Sequence, residues 1–488
     1  MDNNRRDFIK KSALSGIGLM GLSLSENSLQ AQSEKKEKPN QDKKSGPLRI
    51  GFIGVGSRSR THVRNTMLIE GVEIVAICDI QQASLDATKQ SITEKGRKPP
   101  VEYTGSEFAF KDMLKNERLD VVIIATPWEW HIPVAVASMK AQVPYTAVEV
   151  SAANTLEECW DLVNVHEETG MQLMILENVC YRRDVMAVLN MVRTDIFGEL
   201  IHCRCGYEHD LREVKFNDGK DYYYTPGGAL KMGKEAYSEA KWRGLHSISR
   251  NGDLYPTHGI GPVANCLDIN RGNRFLTLSA MATKSRGLHK FIIDNGGPQH
   301  PYANINFNLG DIVTSMIKCA NGETILVTHD TNLPKPYSLG FRVQGTNGLW
   351  RGEGEGDWTN VGEQIYVEGK SKQHTWDKAE DWFKQYDHQY WRERGKEAEG
   401  GGHGGMDYIM MYDFFDSVKN NRNVPIDAYD AAAWSAISAL SEMSVARGGA
   451  LVDFPDFTRG QWIKRKPWFA MDEAHPIDSK RSLIDDIF

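Results

Sequence analysis

An apolar, β-rich run, Leu48 to Ile53, leads directly into Gly54-Val55-Gly56-Ser57-Arg58-Ser59, a Gly-x-Gly-x-x-Ser turn. No other feature of the chain restricts its fold as strongly. Two glycines let the turn tighten and let the backbone approach a pyrophosphate, which then rests at the positive N-terminus of the next helix. Such a triplet alone is weak, since a plain glycine turn reads the same way. A second β-run, 73–78, ends in Asp79, near the roughly 20-residue offset of an acid that accepts ribose hydroxyls. That carboxylate would repel a 2′-phosphate and so favours NAD over NADP, although Arg58 and Arg60 could each meet a phosphate.

Further β-runs at 121–125, 145–149 and 171–176, with helical stretches between them, predict a parallel sheet with right-handed crossovers. A dinucleotide lies across the C-terminal ends of such strands. There the chain places Thr126, Pro127, Trp128, Glu129, Trp130 and His131, then Glu149, Val150 and Ser151, then Glu177 and Asn178. The fold class read from this is α/β: a Rossmann dinucleotide-binding domain over 47–180 and an α+β domain over 181–488 with a large, open, mainly antiparallel sheet. At 488 residues the chain exceeds what one core supports, which agrees with two domains.

In the second domain, runs at 200–205, 305–309, 312–317 and 324–328 read as strands, with Asn321-Gly322 as a tight turn. Two long polar insertions, 210–251 and 352–405, read as functional or mobile loops. Tyr207 and His209, two apart on a strand, share a face and both reach toward the cleft. His258 enters a helix after Tyr255-Pro256-Thr257, a placement that suits a domain interface. His403, in the glycine-rich 400–405 stretch, lacks partners at metal-ligand spacing, so no metal is expected. A last helix, Ala428–Ala446, and a strand at 452–455 are expected to return to the first domain.

The first residues carry Arg5-Arg6, Phe8 and a short Ser/Gly-spaced apolar run, the layout of a twin-arginine export signal over 1–31. Residues 32–46 are polar and without apolar period, a disordered linker. Export by the twin-arginine machinery to the periplasm or beyond follows as an expectation. A net charge of -7 argues against nucleic acid or an anionic membrane as partner. Seven cysteines, scattered without a framework, predict no disulfides.

The Gly54/Gly56 turn, Asp79, the Thr126-Pro127 to His131 segment and Glu149 resemble the glucose–fructose oxidoreductase/inositol dehydrogenase superfamily. Members usually carry Glu-Lys-Pro where this chain has Glu149-Val150-Ser151. The missing lysine argues against simple alcohol oxidation. With Tyr255-Pro256-Thr257-His258, it makes the chain similar to glycoside hydrolase family 109, the NAD-dependent α-N-acetylgalactosaminidases. The resemblance implies NAD contacts from Gly54, Gly56, Ser57, Arg58, Asp79, Trp128, Glu129, Trp130, His131, Glu149, Val150 and Asn178. It implies sugar contacts from Glu177, Tyr207, Arg243, Tyr255, Pro256, Thr257, His258 and Tyr337, with Tyr207 and His258 as the catalytic pair.

The implied chemistry is redox-neutral cleavage of terminal α-N-acetylgalactosamine. Hydride passes from C3 of the sugar to a tightly bound NAD that is not consumed, the acidified C2 proton leaves, the C1 substituent is eliminated, and water, proton and hydride return. A homo-oligomer is also implied by resemblance. The alternative is an exported sugar oxidoreductase of the glucose–fructose type with tightly bound NAD(P). A non-catalytic sugar-binding protein ranks last, because the nucleotide residues are present.

Overall fold

A computed structural model describes residues 46–216, 238–352 and 363–478. The expected signal, nearly all of the linker and the middle of the first insertion therefore lie outside the described residues.

Six parallel strands, β1 (Leu48–Ile53), β2 (Val72–Cys78), β3 (Val101–Tyr103), β4 (Val121–Ile124), β5 (Tyr145–Val148) and β6 (Gln172–Ile175), form a sheet in the order β3-β2-β1-β4-β5-β6. All residues of β4 and β5 are buried, as in a sheet covered on both faces, which explains why these strands read as continuous apolar runs. Strand order reverses between β1 and β4, so a crevice opens where their C-terminal ends part.

The second sheet has nine strands: β7 (Leu200–Glu208), β8 (Phe275–Ala282), β9 (Val313–Cys319), β10 (Thr324–Asp330), β11 (Phe341–Gly345), β12 (Gly348–Gly352), β13 (Gln364–Val367), β14 (Asp377–Lys378) and β15 (Val452–Asp453). Their order is β14-β13-β12-β11-β7-β10-β9-β8-β15. Only β7 and β10 pair in parallel; the other neighbours are antiparallel. The expected fold class holds.

Three expectations need correction. Residues 305–309 are not a strand: the backbone donors of Asn308 and Leu309 bond the carbonyls of Ile248 and Ser247, at the end of the helix Ser238–Ser249. Phe307 and Leu309 are buried by tertiary contact without a ladder. The two insertions are not structureless in their described parts, which hold helices Arg212–Lys215, Ser238–Ser249, Ala379–Tyr386 and Gln389–Ala398. Finally, the terminal strand does not return to the first domain, because β15 pairs with β8 at the edge of the second sheet.

The terminal helix Ala428–Ala446 does make that return. It opens with a capping box between Asp427 and Asp430. Small side chains along it allow close packing on both layers. Ser435 Oγ accepts the amide of Ala152 at 3.2 Å beside the first sheet, and Ser444 Oγ accepts that of Ala280 at 2.8 Å on β8. All seven cysteines are buried and free, and no described helix is long and apolar enough to cross a membrane.

Candidate active site

Gly54, at the end of β1, has φ +80, and a Cβ there would lie 2.6 Å from the carbonyl oxygen of Ala125. Only glycine fits both that backbone and that approach. The helix Ser57–Leu68 then starts with no side-chain cap and no acid in its first turn, so no carboxylate there opposes a phosphate at its positive end. Asp79 accepts the amides of Val55 and Gln81, both at 2.8 Å, so its carboxylate is fixed against the glycine turn. Thr126 Oγ1, after β4, is buried without a hydrogen-bond partner. An uncapped helix start, a cradle that a Cβ would fill and an orphaned hydroxyl on the same sheet edge fit a dinucleotide.

The loops after β4 and β5 are tied together. Trp128 Nε1 donates to the Val150 carbonyl at 3.1 Å, and the His131 ring nitrogens lie 2.7 Å and 2.8 Å from the carbonyls of Ser151 and Thr126. Glu149 accepts from Arg58 Nε at 2.7 Å, with His62 Nε2 at 2.5 Å from the same oxygen, and from the Val150 amide at 3.1 Å. Burial pushes this carboxyl up, but Arg58 and His62 outweigh it and hold the group well below the usual range. Two expected cofactor contacts have other company: Glu129 pairs with His246 at 3.2 Å, and Trp130 packs edge-on against Phe108 and Phe110.

The sugar candidates converge opposite this edge. Glu177, fully buried after β6, lies 2.7 Å from His258 Nδ1 and accepts the Val179 amide at 3.1 Å. A carboxylate only accepts, so it selects the imidazole tautomer with the proton on Nδ1 and leaves Nε2 as the basic atom. His258 is brought to Tyr207 by two glycines: a Cβ on Gly259 would lie 2.7 Å from the amide nitrogen of Gly206, and one on Gly206 2.3 Å from the Thr328 carbonyl. The helix Thr257–Cys266 thereby presses onto β7, and the His258 and Tyr207 rings stand 5.4 Å apart.

Tyr207 shares a 2.9 Å hydrogen bond with His209 Nδ1, which confirms that the two side chains meet on one side of the chain. Tyr255 stacks 5.7 Å from Trp128 and lies 4.5 Å from the Tyr207 ring, while Tyr337 stands 6.2 Å from Tyr207. The Arg243 guanidinium lies over Trp128 and Tyr255 at 5.3 and 5.1 Å. Pro256 precedes the helix as its cap residue, and Thr257 is fully buried with Oγ1 unpartnered.

Four further residues escaped the sequence reading. His62 could have been found, since it lies four residues after Arg58 on one helix face. Lys215 is buried on Thr331 and Asn332 beside Arg243, and burial together with that cation pushes it down to about 7. His329 lines the same small cavity as Lys215, Tyr207 and Arg243. Asp407 bonds Arg58 and Asn178 from several hundred residues away, and no local pattern marks it.

Asp253, two residues before Tyr255, is buried, accepts the Tyr255 amide at 3.0 Å, and is pushed up to about 7 by burial. Its folded pKa thus exceeds the unfolded value, so the folded state holds the extra proton and stability falls as pH rises from about 4 to about 7. Asp253→Asn is expected to flatten that slope. Unfolding free energies at pH 5 and pH 8 should differ less in the variant than in the wild type, by up to about 3 kcal/mol.

Residues 181–464 match the glycosyl hydrolase 109 C-terminal domain, and residues 48–177 match the NAD-binding Rossmann fold of an oxidoreductase family. The chain belongs to glycoside hydrolase family 109. It is 62% identical to an alpha-N-acetylgalactosaminidase of Tannerella forsythia, over 96% of this chain and 100% of that one. A glycosyl hydrolase family 109 protein of Parabacteroides distasonis is 63% identical, again over 96% and 100%. Among solved structures, levoglucosan dehydrogenase in complex with NADH superposes with a TM-score of 0.63 at 17% identity, over 84% of this chain and 100% of that one, a likeness of fold. This family member is therefore an NAD-dependent glycoside hydrolase, built on a scaffold it shares with dehydrogenases.

Proposed function

We propose that this glycoside hydrolase removes terminal α-N-acetylgalactosamine from glycans by a redox-neutral route in which its NAD stays bound. The observation that carries this reading is the Glu177–His258 pair, set against Tyr207 at the C-terminal edge of the nucleotide sheet. Bound NAD supplies a hydride acceptor that is restored within each turnover. Everything else falls to the chain's own side chains.

His258 Nε2, basic because Glu177 fixes the proton on Nδ1, takes the proton of the sugar C3 hydroxyl as that carbon is oxidised. Tyr207, relayed to His209, takes the C2 proton made acidic by the neighbouring carbonyl and later returns it. Burial and the nearby Arg243 and His258 push His209 down to about 4, so at neutral pH it is an uncharged imidazole whose Nδ1 accepts the phenol's hydrogen bond and orients it. Arg243 stabilises the negative charge that develops at the enolate, and Tyr255 and Tyr337 pack against the sugar. Val150, standing where dehydrogenase relatives carry lysine, removes the ammonium that would serve net alcohol oxidation.

The same reading places the protein outside the cytoplasm. Arg5-Arg6, Phe8 and the apolar run after Ala13 support twin-arginine export of an already folded, NAD-loaded protein. A compartment without an exchangeable nucleotide pool suits an enzyme that never releases its cofactor. The test is direct: protein purified without added NAD is incubated with an aryl α-N-acetylgalactosaminide. Aglycone release with no net gain in reduced-nicotinamide absorbance, slowed by deuterium at C2, is the expected result. Accumulation of reduced nicotinamide with free sugar and no aglycone would make it an oxidoreductase instead.

A further inference from the structure

Asp407 is fully buried at the start of the helix Met406–Lys419, and it joins parts of the molecule that are far apart in sequence. Its two oxygens accept from Arg58 Nη1 and Nη2 at 2.9 and 3.0 Å. Asn178 Nδ2 donates to it at 2.7 Å, and His403 Nδ1 lies 2.7 Å away. Since Arg58 Nε is held by Glu149 at 2.7 Å, the guanidinium plane is fixed on two sides. The residues that follow β1, β5 and β6 are thus linked through one carboxylate from the C-terminal half. Burial pushes that carboxyl up, but Arg58 and His403 outweigh it and hold the group well below its ordinary range.

The segment that delivers Asp407 is the glycine-rich stretch 400–405, and it lies on the first nucleotide helix. Asn65 Nδ2, on that helix, donates to the Gly401 carbonyl at 2.8 Å. A Cβ on Gly402, which has φ +90, would stand 2.6 Å from Thr61 Cγ2 and 2.7 Å from Asp407 Oδ2. Glycine is needed here for contact, and the stretch is a strap fastened at Asn65 and at Arg58. A free arginine near a pyrophosphate would lose rotamer entropy on each binding event; one already fixed by three hydrogen bonds does not.

We propose that Asp407 is a positioning residue for the cofactor site: carried by the strap, it holds Arg58 and Asn178 in place toward NAD and so keeps the dinucleotide from leaving between turnovers. This rests on the reading that NAD stays bound through the catalytic cycle and that Arg58 and Asn178 face it. It adds the part of the chain that does the retaining. Asp407→Asn keeps the shape and one acceptor but removes the charge that fixes Arg58. His403→Ala removes a half-exposed ring from the same carboxylate and spares the core, so it serves if the first variant does not fold.

The experiment measures NAD content of the holoenzyme as purified, then its loss during dialysis, by denaturing aliquots and assaying released nucleotide. Asp407→Asn should release NAD at least about tenfold faster than wild type, the factor that about 1.4 kcal/mol of lost holding free energy gives. His403→Ala should release it faster by a smaller factor. With NAD added to saturation, kcat of either variant should return to within about threefold of wild type, which a distorted chemical site would not allow. Wild type that holds its nucleotide while both variants hold it equally long overturns this inference alone. Wild type that purifies empty and cleaves without NAD overturns the proposed function, and this inference with it.

Discussion

His258→Ala is expected to lower kcat for an aryl α-N-acetylgalactosaminide by about 10³-fold, within the range of a lost general base, while the protein keeps its NAD. The argument rests on Glu177, which is fully buried and has its Oε1 engaged by His258 Nδ1 and the Val179 amide. That carboxylate is useful to catalysis only through the ring it orients. Removing the ring therefore removes the base and leaves a buried carboxylate with one partner fewer, at a further cost of about 1–3 kcal/mol in stability. Glu177→Gln, which keeps the shape but also stabilises the other imidazole tautomer, should lie between the two. Steady-state rates beside nucleotide content check this. A variant that loses activity only in step with its NAD would show that His258 serves the cofactor pocket and not the sugar.

The second large effect belongs to Gly54→Ala. The new Cβ would meet the Ala125 carbonyl oxygen at 2.6 Å and the Thr126 amide at 2.8 Å, backbone atoms at the end of a fully buried strand that cannot swing aside. The left-handed φ adds about 1–2 kcal/mol to a clash worth about 1–3 kcal/mol. The turn must open, and the protein should purify with under about a tenth of wild-type NAD, since 1.4 kcal/mol is already tenfold in affinity. Gly96→Ala separates the two causes: Gly96 has φ +70 but nothing within 4 Å of its Cβ position. It should cost stability and leave the nucleotide content unchanged. Equal NAD loss in both variants would mean that overall destabilisation, and not the turn, empties the site.

The outcome along the chain follows from how local each signal is. The strand runs of the first domain lie within one or two residues of β1, β2, β4, β5 and β6, because a doubly covered parallel sheet needs apolar segments that the sequence reveals, whereas the short edge strand β3, with no buried residue, carried no such signal. Residues 305–309 carry an alternating strand-like signal, yet the backbone donors of Asn308 and Leu309 go to a helix end. Burial can be read from composition; the partner that satisfies the backbone cannot. The Tyr255 to His258 string is likewise recognisable, and the structure sets it beside Glu177 and Tyr207. Trp130 sits in a string with Trp128 and His131 but faces Phe108 and Phe110, since neighbouring helical residues point a quarter turn or more apart.

By itself the sequence determined the dinucleotide sheet and its order of events along the chain: a glycine turn after β1, an acid after β2, polar loops after β4, β5 and β6. These are short-range requirements of backbone conformation and of strand burial, and each is written in a few adjacent residues. The tertiary structure alone decided that Asp407 meets Arg58 and Asn178, that the strap lies on the first nucleotide helix, and that Gly259 lets His258 approach β7. Those contacts join segments up to some hundreds of residues apart, and they depend on how two sheets pack, which no local pattern encodes.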